Sequence, residues 1–381
     1  MDISIRTQQL NSLFSYDKKT SLEESHLEIQ PYRFTQTTGA SEINEFQRAL
    51  SSTEFCPVTD NYIQENKDFS YTIFTPAGKV KRDQAIILLH GLNERSWEKY
   101  LTWAEYLAKH TGKPVILFPI AFHMNRTPSQ WCNPRETLSW VNVRKKEIED
   151  LGNASFANVA LSSRLSQNPL RFYASGRESV YNLWQLVHEI KDGRHPLFKE
   201  DTSINLFAYS IGALLSQVLL LANPEKMFSD TRLFMFCGGS IFSEMNGNAR
   251  DIMDQAAFDS LQQYYRNDFL EQRTLPTSFK NDFMEQAFKA MIRTDVMQEY
   301  RESFFLRACH RIHAISLKKD IVMPTSGIIK ALGKASEKIL EELDFPFHYS
   351  HQVPFPLRSK TEPTLLSQAF QRIFSSAAAF L

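Results

Sequence analysis

An α/β fold built on a doubly wound, mostly parallel sheet is predicted by three features of this 381-residue chain. Short, wholly apolar runs such as Ala85 to Leu89 and Leu233 to Cys237 have the composition of strands buried on both faces. Amphipathic helical stretches alternate with those runs, the pattern of parallel strands joined by helical crossovers. Ser210, finally, stands between the apolar run Ile204 to Ala208 and the helix-like run Ile211 to Ala222, where a strand must turn sharply into a helix.

Residues 1–66 are polar and without clear periodicity, and are expected to form an extension packed on or near the core of a domain spanning 67–381. Tyr71 to Phe74 alternates as a strand, Pro76-Ala77-Gly78 is a turn, and Ala85 to Leu89 is a buried strand ending at His90-Gly91, so a hairpin is expected here. From Ser96 a helix carries Trp97, Tyr100, Leu101, Ala104 and Ala108 on one face. Gly112 closes it before the strand Val115 to Phe118. A second helix, roughly 177–192, places Val180, Leu183, Trp184, Val187 and Ile190 at helical spacing. Leu233 to Cys237, Ile312 to Leu317 and Phe345 to Tyr349 read as further strands, and Thr364 to Leu381 as a covering helix. Two segments break the alternation and read as insertions: 124–176, rich in Asn, Arg and Ser, and 243–308, helix-like throughout and expected to be a lid.

A hydrophobic fraction of 43%, with 29 Phe and 13 Tyr, supports a large buried core. Forty-three basic residues balance forty-three acidic ones, which leaves no footprint for a nucleic-acid backbone. The cysteines stand singly at 56, 132, 237 and 309, so neither a zinc site nor a disulfide framework is expected, and no metal or cofactor is called for. Met1-Asp2-Ile3-Ser4-Ile5-Arg6 lacks the pattern of a secretory leader, and there is no run of eighteen apolar residues. The expected location is the cytoplasm, with no transmembrane segment; nothing speaks to oligomeric state.

The chemistry centres on Ala208-Tyr209-Ser210-Ile211-Gly212. A tight strand-to-helix turn needs small residues two before and two after the serine, and Ala208 and Gly212 meet that need. On the chain's own residue frequencies such a relaxed pattern arises on the order of 0.1 times by chance. A serine hydroxyl also requires a histidine to take its proton and a carboxylate to orient that histidine. Asp320 follows the strand Ile312 to Leu317, at the carboxyl edge where parallel sheets place their sites; Glu244, beyond the strand ending near Cys237, is the rival acid. His351 sits in a loop ahead of Pro354 and Pro356, and His348 competes from within the aromatic run before it. The N–H groups of Ile211, first in the following helix, and Leu92, in the loop after an early strand, are the expected oxyanion donors, with Gly91 permitting close approach. His90, Gly91, Tyr209, His123 and Arg126 are pocket candidates. Of these, His90 reads first as a structural hydrogen-bonding residue beneath the oxyanion loop, and His123, Arg126 and Trp131 read equally as packing or surface residues.

From about residue 69 to the C-terminus these elements together resemble the α/β-hydrolase superfamily. The resemblance rests on the His90-Gly91 loop, the elbow Ala208 to Gly212, Asp320 with Pro324 after it, and the late His351, in the chain order Ser210, Asp320, His351. The runs His90-Gly91-Leu92-Asn93-Glu94-Arg95-Ser96-Trp97 and Pro119-Ile120-Ala121-Phe122-His123-Met124-Asn125-Arg126 are further similar to an uncharacterised bacterial branch of it. The resemblance implies an esterase-, lipase- or peptidase-like serine hydrolase that acts on a small-molecule ester, thioester or amide through an acyl-enzyme. Two alternatives share the site. One is a hydrolase-like scaffold that binds without catalysis, since alanine stands where the elbow usually has glycine. The other is an acyltransferase.

Overall fold

The computed structural model describes residues 2–37, 60–271, 282–357 and 360–381. Its strands are β1 (Thr20–Leu22), β2 (Leu27–Thr35), β3 (Asp68–Pro76), β4 (Arg82–Leu89), β5 (Val115–Leu117), β6 (Phe198–Tyr209), β7 (Leu233–Phe236), β8 (Ile312–Leu317) and β9 (Leu340–Leu343). They form one sheet in the order β1-β2-β3-β5-β4-β6-β7-β8-β9. The pairs from β1 to β3, and β3 with β5, are antiparallel; every pair from β5 across to β9 is parallel.

The parallel half follows from the apolar runs. Ala85–Leu89, Leu206–Ala208 and Leu233–Phe236 are wholly buried, which requires helices on both faces. Side chains alternate between two cores. Ile87 and Leu89 face the helices Leu170–Lys191 and Ile211–Ala222, whereas Ile86 and Leu88 face Glu98–Thr111 and Pro363–Phe380. With a serine-bearing turn after the central strand β6, this is an α/β-hydrolase fold. The helix Glu98–Thr111 ends where expected, at a left-handed Gly112 (φ 67°) whose N–H returns to the Ala108 carbonyl.

Two local expectations differ from the structure. β3 and β4 do not form a hairpin, because β5 lies between them, antiparallel to one and parallel to the other. The apolar run of β4 needs a strand on each side, and the crossover through Glu98–Thr111 returns Val115–Leu117 to that place. Phe345 to Tyr349 is not a strand; β9 comes earlier, at Leu340–Leu343. Pro346 lacks the N–H a ladder requires, and Phe345 packs instead on Tyr349 and Phe355, at ring separations of 5.4 and 5.9 Å. At the N-terminus, the helix Ile3–Leu13 buries Ile3 and Leu10 in the second core, and β2 pairs with β3 from Leu27↔Pro76 to Thr35↔Asp68. Pro31 interrupts the alternation of β2 and hides it in sequence. Pro31 is tolerated because β1 covers only Leu27 to Ile29.

Within 243–308 lie the helices Gln255–Gln263, Phe283–Ala290 and Gln298–Ala308. The first packs on Val159–Gln167 of the 124–176 segment, the second on Ile211–Ala222. Arg144 and Asp254, both buried, join the two segments by an ion pair of 2.6 Å. Residues 272–281 of the expected lid, and Cys56, lie outside the described residues. Among the described residues Cys132, Cys237 and Cys309 are free, no three His, Cys, Asp or Glu side chains gather as a metal site, and no helix is long and apolar enough to cross a membrane.

Candidate active site

The chain leaves β6 at Tyr209 and enters a helix at Ile211, and the whole change of direction falls on Ser210, held at φ 56°, ψ −122°. That conformation is strained for any residue with a side chain, and it lifts the hydroxyl above the sheet edge. Gly212 makes the turn possible. A Cβ there would lie 2.9 Å from the His90 carbonyl oxygen and from Leu89 Cβ, so a side chain would force the helix off the end of β4.

Asp320 and His351 arrive from the far half of the sheet. Ser210 Oγ lies 2.7 Å from His351 Nε2, and His351 Nδ1 lies 2.7 Å from Asp320 Oδ2. The other oxygen, Asp320 Oδ1, accepts the N–H groups of Val322 and Met323 at 2.9 Å each, which aims the carboxylate at the imidazole. A carboxylate only accepts, so Nδ1 carries the proton and the Nε2 lone pair faces the serine. All three side chains are buried. The rivals lie elsewhere: Glu244 pairs with Lys330 at 2.8 Å, and His348 is exposed.

Around this relay a polar network ties two loops together. Tyr209 donates its hydroxyl to the His351 carbonyl, and their rings stack at 5.5 Å. Lys99 Nζ donates to the Gln352 carbonyl at 3.1 Å, lies 4.6 Å from the centre of the Tyr209 ring, and pairs with Glu94. Glu94 accepts the Tyr100 hydroxyl at 3.0 Å, and that hydroxyl accepts the Gly91 N–H at 3.0 Å. Gly91 N–H is thus engaged. Ile211 N–H opens a helix, where no intrahelical acceptor exists, and Leu92 borders the same cavities as Ser210. Gly91 itself passes close: a Cβ there would stand 3.4 Å from Ser210 Cβ. Lys99 carried no sequence signal; Tyr100 read as a helix-face residue, Glu94 as part of the run His90 to Trp97 and Tyr209 as the residue before the serine, none of them for this network.

The relay opens into a cleft of about 750 Å³ bordered by Gly91, Leu92, Tyr209, Ser210 and His351. Three pocket candidates lie outside that cleft. His90 is sealed behind the loop, with Nδ1–H donating to the Gly91 carbonyl at 2.8 Å and Nε2 accepting Ile120 N–H at 2.9 Å. Burial holds its pKa well below the ordinary value, so the ring stays a neutral brace. Arg126 is fully buried, bonded to the Pro119 carbonyl (3.0 Å), the Asn66 carbonyl (2.9 Å) and Asn182 Oδ1 (2.7 Å), with Glu178 at 3.4 Å. Burial lowers the guanidinium to about 10 and raises the Glu178 carboxyl to about 7. A charge in that position needs every partner it has, which is why Arg126 clamps the 119–126 segment instead of facing a ligand. His123 is buried too, lowered to about 4 by desolvation, and borders a small apolar cavity away from the cleft.

The model of DUF6051, a family of unknown function, matches residues 1–381. No curated protein matches the sequence. Among solved structures, the chain is similar to a thermostable esterase from Pseudomonas putida ECU1011, with 9% identity, 97% of this chain and 86% of that one covered, and a TM-score of 0.43. It is likewise similar to a hyperthermophilic esterase from the archaeon Pyrobaculum calidifontis, with 12% identity, 98% of each chain covered and a TM-score of 0.44.

Proposed function

The chain belongs to DUF6051, a family of unknown function, and we propose that it is a serine hydrolase, cleaving a small-molecule carboxylic ester, thioester or amide through an acyl-enzyme. One observation carries the reading: Ser210, at a strained strand-to-helix turn, lies 2.7 Å from His351 Nε2, whose other nitrogen lies 2.7 Å from Asp320. A serine placed only to cap a helix has no use for a histidine oriented by a buried carboxylate.

In this mechanism Ser210 Oγ bonds to the substrate carbonyl carbon while its proton passes to His351 Nε2. The negative charge that develops on the carbonyl oxygen is met by the N–H groups of Leu92 and Ile211. Collapse of the tetrahedral species breaks the bond to the leaving group, which takes the proton from His351. The acyl group remains on Ser210. A water then gives its proton to His351 and attacks the same carbon, and the second collapse releases the acid and returns the proton to Ser210. Asp320 stays ionised throughout and holds the imidazole tautomer. Within the same reading DUF6051 is a branch of the α/β-hydrolase superfamily.

A fluorophosphonate probe tests this directly, because it forms an adduct only with an activated serine. Labelling of the wild type and none of Ser210→Ala is expected. A folded wild type that takes no label would mean a binding scaffold instead.

A further inference from the structure

Two narrow apolar pockets next to the relay have no part in the chemistry described so far. The near one, about 40 Å³, is walled by Ser210, Leu92, Ile211 and Phe172 and by the flexible side chains of Met253 and Met323. The far one, about 60 Å³, shares Leu92, Ile211 and Phe172 with it and runs between the helices Leu170–Lys191, Ile211–Ala222 and Phe283–Ala290, against Val180, Val218 and Phe288. Roughly 10–15 Å³ on this measure holds one water. Each cavity therefore takes several chain carbons. Of the polar side chains at the far border, Tyr173 and Arg177 are bonded to each other at 3.3 Å. Close packing is the rule in protein interiors, so apolar space of this kind is costly to keep empty.

Proton transfer fixes which part of a substrate goes where. The leaving group takes its proton from His351 Nε2 and must lie where that ring is exposed. His351 borders the wide cleft and neither narrow pocket. The acyl chain, on the other side of the same carbon, then points to where Ser210 borders the near cavity. Gly176 supplies an independent sign. It lies inside the helix Leu170–Lys191 and borders the far cavity, and a Cβ added to it would meet nothing within 4 Å. Glycine inside a helix is unfavourable relative to alanine and is ordinarily explained by a neighbour's close approach. Among the described residues no neighbour approaches here; what the missing side chain leaves is room.

Resting on the reading of Ser210 as the nucleophile, we propose that the two cavities form one bent channel for the acyl chain, so that the substrate is an ester or thioester of a linear, apolar, medium-length carboxylic acid. Phe172 stands at the neck between the two parts and Gly176 sets the depth. Thioether side chains at the entrance adapt to the chain without imposing a fixed shape.

The test measures kcat/KM of the full chain on p-nitrophenyl esters from acetate to decanoate, beside fluorophosphonate labelling. Specificity is expected to rise with length by about fourfold per methylene until the channel ends. In Gly176→Leu the octanoate-to-butyrate ratio should fall by about tenfold or more, since the added side chain occupies the far cavity. Val218→Phe fills the same space from the facing helix and gives the same readout if Gly176→Leu does not fold. A flat length profile, or a ratio unchanged in a folded and labelled variant, overturns the channel and leaves the hydrolase reading standing. A folded wild type that takes no label overturns both.

Discussion

The two sides of Ser210 differ in size and in the charge along their rims. On the His351 side lies a cleft of about 750 Å³ with Glu94, Arg95 and Lys99 on its rim and Trp103, Val353 and Phe355 among its apolar walls. On the other lie narrow spaces of about 40 and 60 Å³ walled by methionine, leucine, valine and phenylalanine. Hydrogen bonds and an ion pair between two loops hold one rim of the cleft, whereas packing among helices shapes the narrow side. A wide cleft with a mixed polar and apolar lining tolerates varied groups. Dry apolar walls discriminate by size, at about 0.8 kcal/mol per methylene. An enzyme made this way should be strict about the acyl group and permissive about what leaves.

The largest expected effect falls on both sides alike. Asp320→Asn leaves His351 without its acceptor and should lower kcat by about 10⁴ for every ester. Parallel kinetics on short and longer acyl chains check this, and a loss that depended on chain length would break the separation of relay from channel. Lys99→Met should sharpen it instead. Without the bond to the Gln352 carbonyl the loop bearing His351 loosens, and kcat/KM is expected to drop by about tenfold to a hundredfold, to a degree that follows the leaving group and not the acyl chain. A matrix of acyl and leaving-group esters reads that difference.

The smallest effect concerns stability beneath the narrow side. Glu178, on the helix that carries Gly176, holds Arg126 and thereby the segment with Ile120 and His123. Its carboxyl is raised by burial from 4.5 to about 7, so between those values the folded state keeps a proton that the unfolded state has lost. Folding stability then declines as pH rises through that window, by at most about 1.4 kcal/mol per pH unit. Urea unfolding of Glu178→Gln at about pH 5 and pH 6 should show a flatter trend than the wild type.

Much of the fold was legible because its signals are local. Apolar runs marked β4, β7 and β8, and Gly112 marked the end of Glu98–Thr111. β2 was not legible, since Pro31 breaks an alternation that only its pairing with β3 restores. The same holds at the site. Ser210 and Asp320 could be named from strand ends and His351 from its loop and chain order, and the structure brings their side chains within hydrogen-bonding distance. Arg126 looked available in sequence, and burial among Asn66, Asn182 and Glu178 removed it from the pocket.

What the sequence determined by itself was the alternation of strands and helices, the sharp turn at Ser210 and the small residue at Gly212 that the turn requires. These depend on contacts between near neighbours, which periodicity and turn chemistry encode. Only the tertiary structure decided that β5 enters between β3 and β4, that Tyr209 holds the His351 carbonyl, and that Gly176 borders open space behind the nucleophile. Each of these joins residues far apart along the chain, and the shape between them exists only after the helices have packed.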